Sequence, residues 1–126
     1  MKEDIKTRKD IEHLINSFYD KVKRDEMIGF IFNDVARVNW EKHLPVMYDF
    51  WESIIFSTAN YNGNPMLVHL QLNRLIPLTK QHFDQWLKLF TETTDELFEG
   101  KKATLTKERA LNIAAIIQSK ILTTSL

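Results

Sequence analysis

His69 is the one titratable side chain in the apolar segment Pro65-Met66-Leu67-Val68-His69-Leu70-Gln71-Leu72. It comes long after the pair Phe18-Tyr19 and ahead of Trp86, and each of the three sites lies in its own apolar, helix-like stretch. An imidazole ligates metals, an indole N–H only donates a hydrogen bond, and a phenol both donates and accepts. Together they are the equipment for holding a haem iron and a gas on opposite faces of one pocket.

Each candidate has a plainer reading. A lone histidine in a helix is ordinarily a surface or satisfied core residue, and no second ligand stands three or four residues away to build a zinc site. Haem asks less, because the porphyrin supplies four nitrogens and the protein need add only one axial imidazole. Tyr19 and Trp86 read equally well as aromatic core, yet each carries a polar hydrogen that needs a partner when buried. Bound dioxygen carries partial negative charge, and a hydrogen bond to a charged acceptor is worth about 1.5–3 kcal/mol. His13 lies beside the apolar stripe of its helix and reads as a surface residue, and His82, just after Thr79, as exposed or locally paired. His43, one helical turn before Met47, is either a pocket-mouth gate or a solvent-facing imidazole.

Helices must position these groups. Ile11, Leu14, Ile15, Phe18 and Val22 fall at helical spacing behind Thr7 and Asp10, which predicts a first helix over about Arg8 to Lys23. Met27 to Phe32, with Gly29 inside it, reads as one or two helical turns. A second stripe runs Trp40, His43, Leu44, Met47, Phe50, Trp51, Ile54 and Ile55. Pro45 lacks an N–H, so it belongs in a first turn or bends the helix, and the helix proper is expected to begin near His43. Asn60-Tyr61-Asn62-Gly63-Asn64-Pro65 is a loop that leads, with Asn64 as cap and Pro65 as first residue, into a short helix carrying His69. Thr79 caps a helix with the stripe Phe83, Trp86, Leu87, Phe90, Thr94, Leu97 and Phe98, ended by Gly100. A last helix is expected from about Thr106 through Ala110, Ile113, Ala114, Ile117 and Ile121. The class is all-α, with four main helices in one domain over residues 1–126.

Composition excludes other functions. The 126 residues hold 17 basic and 17 acidic side chains, so no global field draws in nucleic acid or an anionic membrane. Without cysteine there is no disulfide frame, iron–sulfur cluster or thiolate-ligated haem. The charged start Met1-Lys2-Glu3-Asp4-Ile5-Lys6 does not read as a signal peptide, and no apolar run is long enough to span a bilayer. A soluble cytoplasmic protein is the expectation.

The order and spacing of these residues resemble the truncated haemoglobins of the third group. The likeness runs through Phe18-Tyr19-Asp20-Lys21-Val22, Ile31-Phe32, Trp40 with His43, Phe50-Trp51, Tyr61-Asn62-Gly63 and Pro65 before Leu67-Val68-His69-Leu70. It continues with His82-Phe83-Asp84-Gln85-Trp86-Leu87-Lys88-Leu89-Phe90, and so covers nearly the whole chain. No Gly-Gly pair is present, as in that group. The resemblance implies a globin-like, truncated two-over-two helical sandwich around haem b. It also implies His69 as proximal ligand, Tyr19 and Trp86 as a distal hydrogen-bonding pair, and His43 as gate. Phe32 would wedge against the porphyrin, Met47 would form part of the distal wall, and Arg74 or Lys80 would meet a propionate. Pro45 departs from expectation close to the gate.

The implied activity is reversible binding of dioxygen or another diatomic gas at a five-coordinate iron. The alternative is a haem redox enzyme, a nitric oxide dioxygenase or peroxidase-like catalyst. Lacking any G-x-G-x-x-G motif, it would need a separate reductase. A third reading, with His69 on the surface, is a colourless helical interaction domain. In a fourth, His43 swings in as a sixth iron ligand.

Overall fold

The computed structural model describes residues 2–58, 61 and 63–125. Among these there is no strand, and no helix is long and apolar enough to cross a membrane. Five α-helices are present: α1 (Arg8–Arg24), α2 (Trp40–Phe56), α3 (Pro65–Leu75), α4 (Lys80–Leu97) and α5 (Lys101–Ser125), with a π-helical turn over Ile31–Val35. α1 packs on α2 and α4, α4 on α5, α2 also on α5, and α3 on α5. The pair α1/α2 thus lies across the pair α4/α5, two helices over two.

Local signals account for several boundaries. Thr7 and Asp10 exchange reciprocal capping bonds at the start of α1. Asn64 accepts from the Leu67 N–H at 3.1 Å, and Pro65 opens α3, where its missing donor costs nothing. At α4, Thr79 accepts from the His82 N–H while its own N–H donates to His82 Nδ1 at 3.0 Å, so His82 is locally paired. His13 is exposed. Asn60 and Asn62 of the expected loop lie outside the described residues.

Four boundaries differ from expectation. The turn after α1 falls at Ile31–Val35, later than Met27, because the chain first passes close to the end of α1. A Cβ on Gly29 would sit 2.9 Å from the Val22 carbonyl oxygen, so only glycine allows that approach. α2 begins at Trp40 rather than near His43, and the exposed Pro45 is accommodated in its second turn. α4 ends at Leu97, with Phe98 already extended but still buried. α5 begins at Lys101, five residues before Thr106.

The early start of α5 has a distant cause. Asp4 accepts from the backbone N–H groups of Lys102 and Ala103, each at 2.9 Å, and so caps a helix 98 residues further along the chain. The segment is anchored by the Glu99 N–H donating to the Glu3 carbonyl and by Ile5, which is almost wholly buried. Gly100 sits at φ 143°, and a Cβ there would fall 2.5 Å from Asp4 Cγ, so glycine is required twice over.

Partial burial by itself would raise the Asp4 pKa. Bonds from Lys102, Ala103 and Ile5 N–H, with the Lys102 charge, outweigh it and hold the carboxyl below its ordinary 3.8. A depressed folded-state pKa contributes stability that is fully present above the unfolded value and disappears as pH falls through the folded one. Asp4→Ala should therefore cost about 0.5–2 kcal/mol at neutral pH. In urea titrations the gap to the parent should close only below pH 3.8; a gap that persists at more acid pH would contradict this origin.

Candidate functional site

Phe90 is completely buried and joins three helices. Its ring stacks on Trp86 of its own helix at 5.4 Å between centroids and on Trp51 of α2 at 4.8 Å. It meets Phe18 of α1 edge-on at 5.1 Å. Phe18 in turn meets Trp86 at 5.5 Å with planes at 90°, so the indole is held on two sides.

Next to Phe18, Tyr19 is buried among Phe32, Trp40 and His43, with ring centroids 6.0, 5.2 and 5.5 Å away. Trp40 meets His43 at 5.7 Å and stacks on Phe32, while Lys23 lies 4.5 Å over the Trp40 ring. The π-helical turn makes this possible by carrying Phe32 back toward α1. Met47, one turn beyond His43, is half-buried against the same core. Tyr19, Phe32, Trp40 and His43 thus meet from α1, α2 and the π turn, and Trp86 of α4 is joined to them through Phe18.

Trp40 and Lys23 are members of this box to which residue types and spacing assign no role. The available signal is the placement of Trp40 three residues before His43, on one helical face.

His69 approaches from α3. Its Nδ1 lies 2.6 Å from the Pro65 carbonyl oxygen, and since a carbonyl only accepts, Nδ1 carries the proton. That leaves the Nε2 lone pair for a ligand, the tautomer that metal-binding histidines adopt. Burial pushes the His69 pKa down against the opposing effect of the Pro65 bond. His43 is likewise lowered, first by burial and then by the charge of His69, which places the two imidazoles within each other's field. His69 is half-buried.

One polar atom of the box lacks a partner: the Nε2 of His43 is buried with no hydrogen bond among the described residues. Buried polar atoms are normally paired, so an orphaned nitrogen here indicates a polar ligand. On α3, Val68 and Leu75 present much of their surface, and no residue of the helix is fully buried. A lone imidazole with its Nε2 available, on a helix with exposed apolar surface, fits a haem, which needs only one axial imidazole from the protein. No cluster of three or more His, Asp or Glu side chains able to hold a bare metal ion occurs among the described residues.

The proposed propionate partners are not drawn into this group. Arg74 stands exposed in the last turn of α3, and Lys80 is paired with Asp84 at 2.7 Å.

Known proteins match this chain in sequence and fold. The model of the bacterial-like globin family matches residues 2–121. A group 3 truncated haemoglobin, ctb, of Campylobacter jejuni is 30% identical over 124 residues, covering 96% of this chain and 95% of the relative. The crystal structure of a group III truncated haemoglobin from the same organism superposes with a TM-score of 0.84 at 30% identity, covering 96% of this chain and 95% of the other.

Removing the ring that joins the helices should be costly. Phe90→Ala is expected to lower the unfolding free energy by about 3–5 kcal/mol in urea titration and to shift the tryptophan emission. A cost under about 1 kcal/mol would show that the helices do not depend on this contact.

Proposed function

Because the chain belongs to the bacterial-like globins, among the group 3 truncated haemoglobins, we propose that it binds haem b through His69. Tyr19, Trp86 and His43 then hold dioxygen or another diatomic gas on the opposite side. When bound, haem would supply an iron that His69 could ligate and that could take up a diatomic gas. The observation that carries this reading is the buried, unpaired Nε2 of His43 together with a His69 whose Nδ1 is tied to the Pro65 carbonyl, leaving its Nε2 for a ligand.

Each side chain has a defined task. The Pro65 carbonyl fixes the ring orientation and tautomer of His69, and burial keeps that imidazole neutral and able to donate its lone pair. Desolvation drives the Tyr19 pKa far above its ordinary value, so the phenol keeps its proton and acts as a donor at any physiological pH. Trp86 can only donate, and its orientation is set by Phe18 and Phe90. His43, neutral because it is buried and beside His69, sits where a ligand would pass between Trp40 and Tyr19. Phe32 and Met47 supply apolar wall, and Arg74 is the cation on α3 for a propionate.

Donors aimed at a partly negative ligand slow its departure. Tyr19→Phe and Trp86→Phe should each raise the dioxygen release rate, by up to about 10- to 150-fold for a hydrogen bond to a charged acceptor, in stopped-flow measurements. His69→Gly should lose haem unless imidazole is added to the solution. Unchanged release in both distal variants, or full haem retention with unaltered axial ligation in His69→Gly, would overturn this reading.

A further inference from the structure

The aromatic rings do not end at the pocket. Trp86 stacks on Phe90 with planes 15° apart, and Phe90 on Trp51 at 26°. Trp51 meets Phe50 edge-on at 5.3 Å, and Phe50 meets Tyr61 at 5.0 Å. The row runs from the pocket indole, through the core, to a half-buried phenol beyond α2. Its easily oxidised members, Trp86, Trp51 and Tyr61, alternate with phenylalanines that bring the π systems close without being oxidised themselves. Apolar packing alone would be met by leucine or phenylalanine at position 51. Of the three tyrosines, only Tyr61 lies in this row beyond the pocket.

We propose, on the basis of the haem reading above, that this row is a one-electron relay carrying oxidising equivalents derived from hydrogen peroxide out of the pocket to Tyr61. Trp86 gives up an electron in the pocket, Trp51 refills it across Phe90, and Tyr61 refills Trp51 across Phe50. Tyr61 then releases its phenolic proton to water. For two protein molecules the sum is 2 TyrOH + H2O2 → 2 TyrO• + 2 H2O, in which the peroxide O–O bond breaks and each tyrosine loses one electron and one proton. Two such radicals join by a new carbon–carbon bond between their rings.

The direction follows from where the proton can leave. Oxidation makes a phenol strongly acidic, and Tyr19, only 5% exposed and enclosed by rings, gives its proton a poorer route to water. Tyr61 is more open. A methyl group at Gly63 would overlap its hydroxyl, and glycine there leaves the oxygen accessible. The Tyr61 N–H also donates to Ser53 Oγ at 3.2 Å, which ties the end of the row to α2.

The test uses the full chain, first titrated with haem and then exposed to hydrogen peroxide. Radicals are read by freeze-quench electron paramagnetic resonance with ring-deuterated tyrosine, and products by dityrosine fluorescence and covalent dimer on denaturing gels. Tyr61→Phe should abolish the tyrosyl signal and the dimer. Trp51→Phe and Phe50→Leu should lose most of both, and Phe50→Leu, which lies outside the Phe90 junction, should keep haem uptake and dioxygen release unchanged. Phe50→Leu decides the matter if Trp51→Phe fails to fold. Equal dimer yield in these variants, or no radical in haem-loaded parent protein, would overturn the relay alone. Failure of the optical haem titration would overturn the haem reading and the relay with it.

Discussion

The structure depends on the contact between Phe90 and the three aromatic rings around it. A fully buried benzene ring that stacks on two indoles and meets a third ring edge-on locks α1, α2 and α4 into one relative placement. Well-packed interiors change by discrete rearrangement rather than by continuous yielding, so this junction sets where Trp86 and Tyr19 can be. Tyr19 follows Phe18 directly on α1, so fixing one ring fixes the side of the helix from which the other projects.

Around that rigid centre the rings of Phe32, Trp40 and Tyr19 cluster with His43, whose Nε2 has no partner among the described residues. Leaving a buried polar group unpaired costs about 1–3 kcal/mol. The same desolvation holds His43 and His69 neutral and Tyr19 protonated, so burial both shapes the site and sets its protonation.

Charged contacts act at the edges. Arg8 at the start of α1 reaches Asp49 on α2 at 2.9 Å, with Glu12 and Glu52 nearby, and Lys21 on α1 pairs with Glu96 on α4 at 2.8 Å. Exposed pairs of this kind contribute little stability, but they favour one register between helices that the aromatic core already holds together. The Lys102 ammonium donates to the Ile55 carbonyl at the end of α2, where the helix dipole is negative. Its backbone N–H is capped by Asp4, so one residue joins the chain start, α2 and α5.

The helical class, the stripes, and the caps at Thr7, Asn64 and Thr79 were legible in the sequence, because period and capping are properties of residues a few positions apart. The globin family was legible from the order and spacing of residues around His69, Tyr19 and Trp86. The start of α5 was not, since its cap comes from Asp4 at the other end of the chain. Nor was the start of α2, because a proline on an exposed face is tolerated where neighbouring turns are held by packing. The enclosure of Tyr19 by Trp40 and the row from Trp86 to Tyr61 were equally hidden. Local spacing says which face of a helix a ring occupies; only the crossing of helices in space decides which other ring it meets.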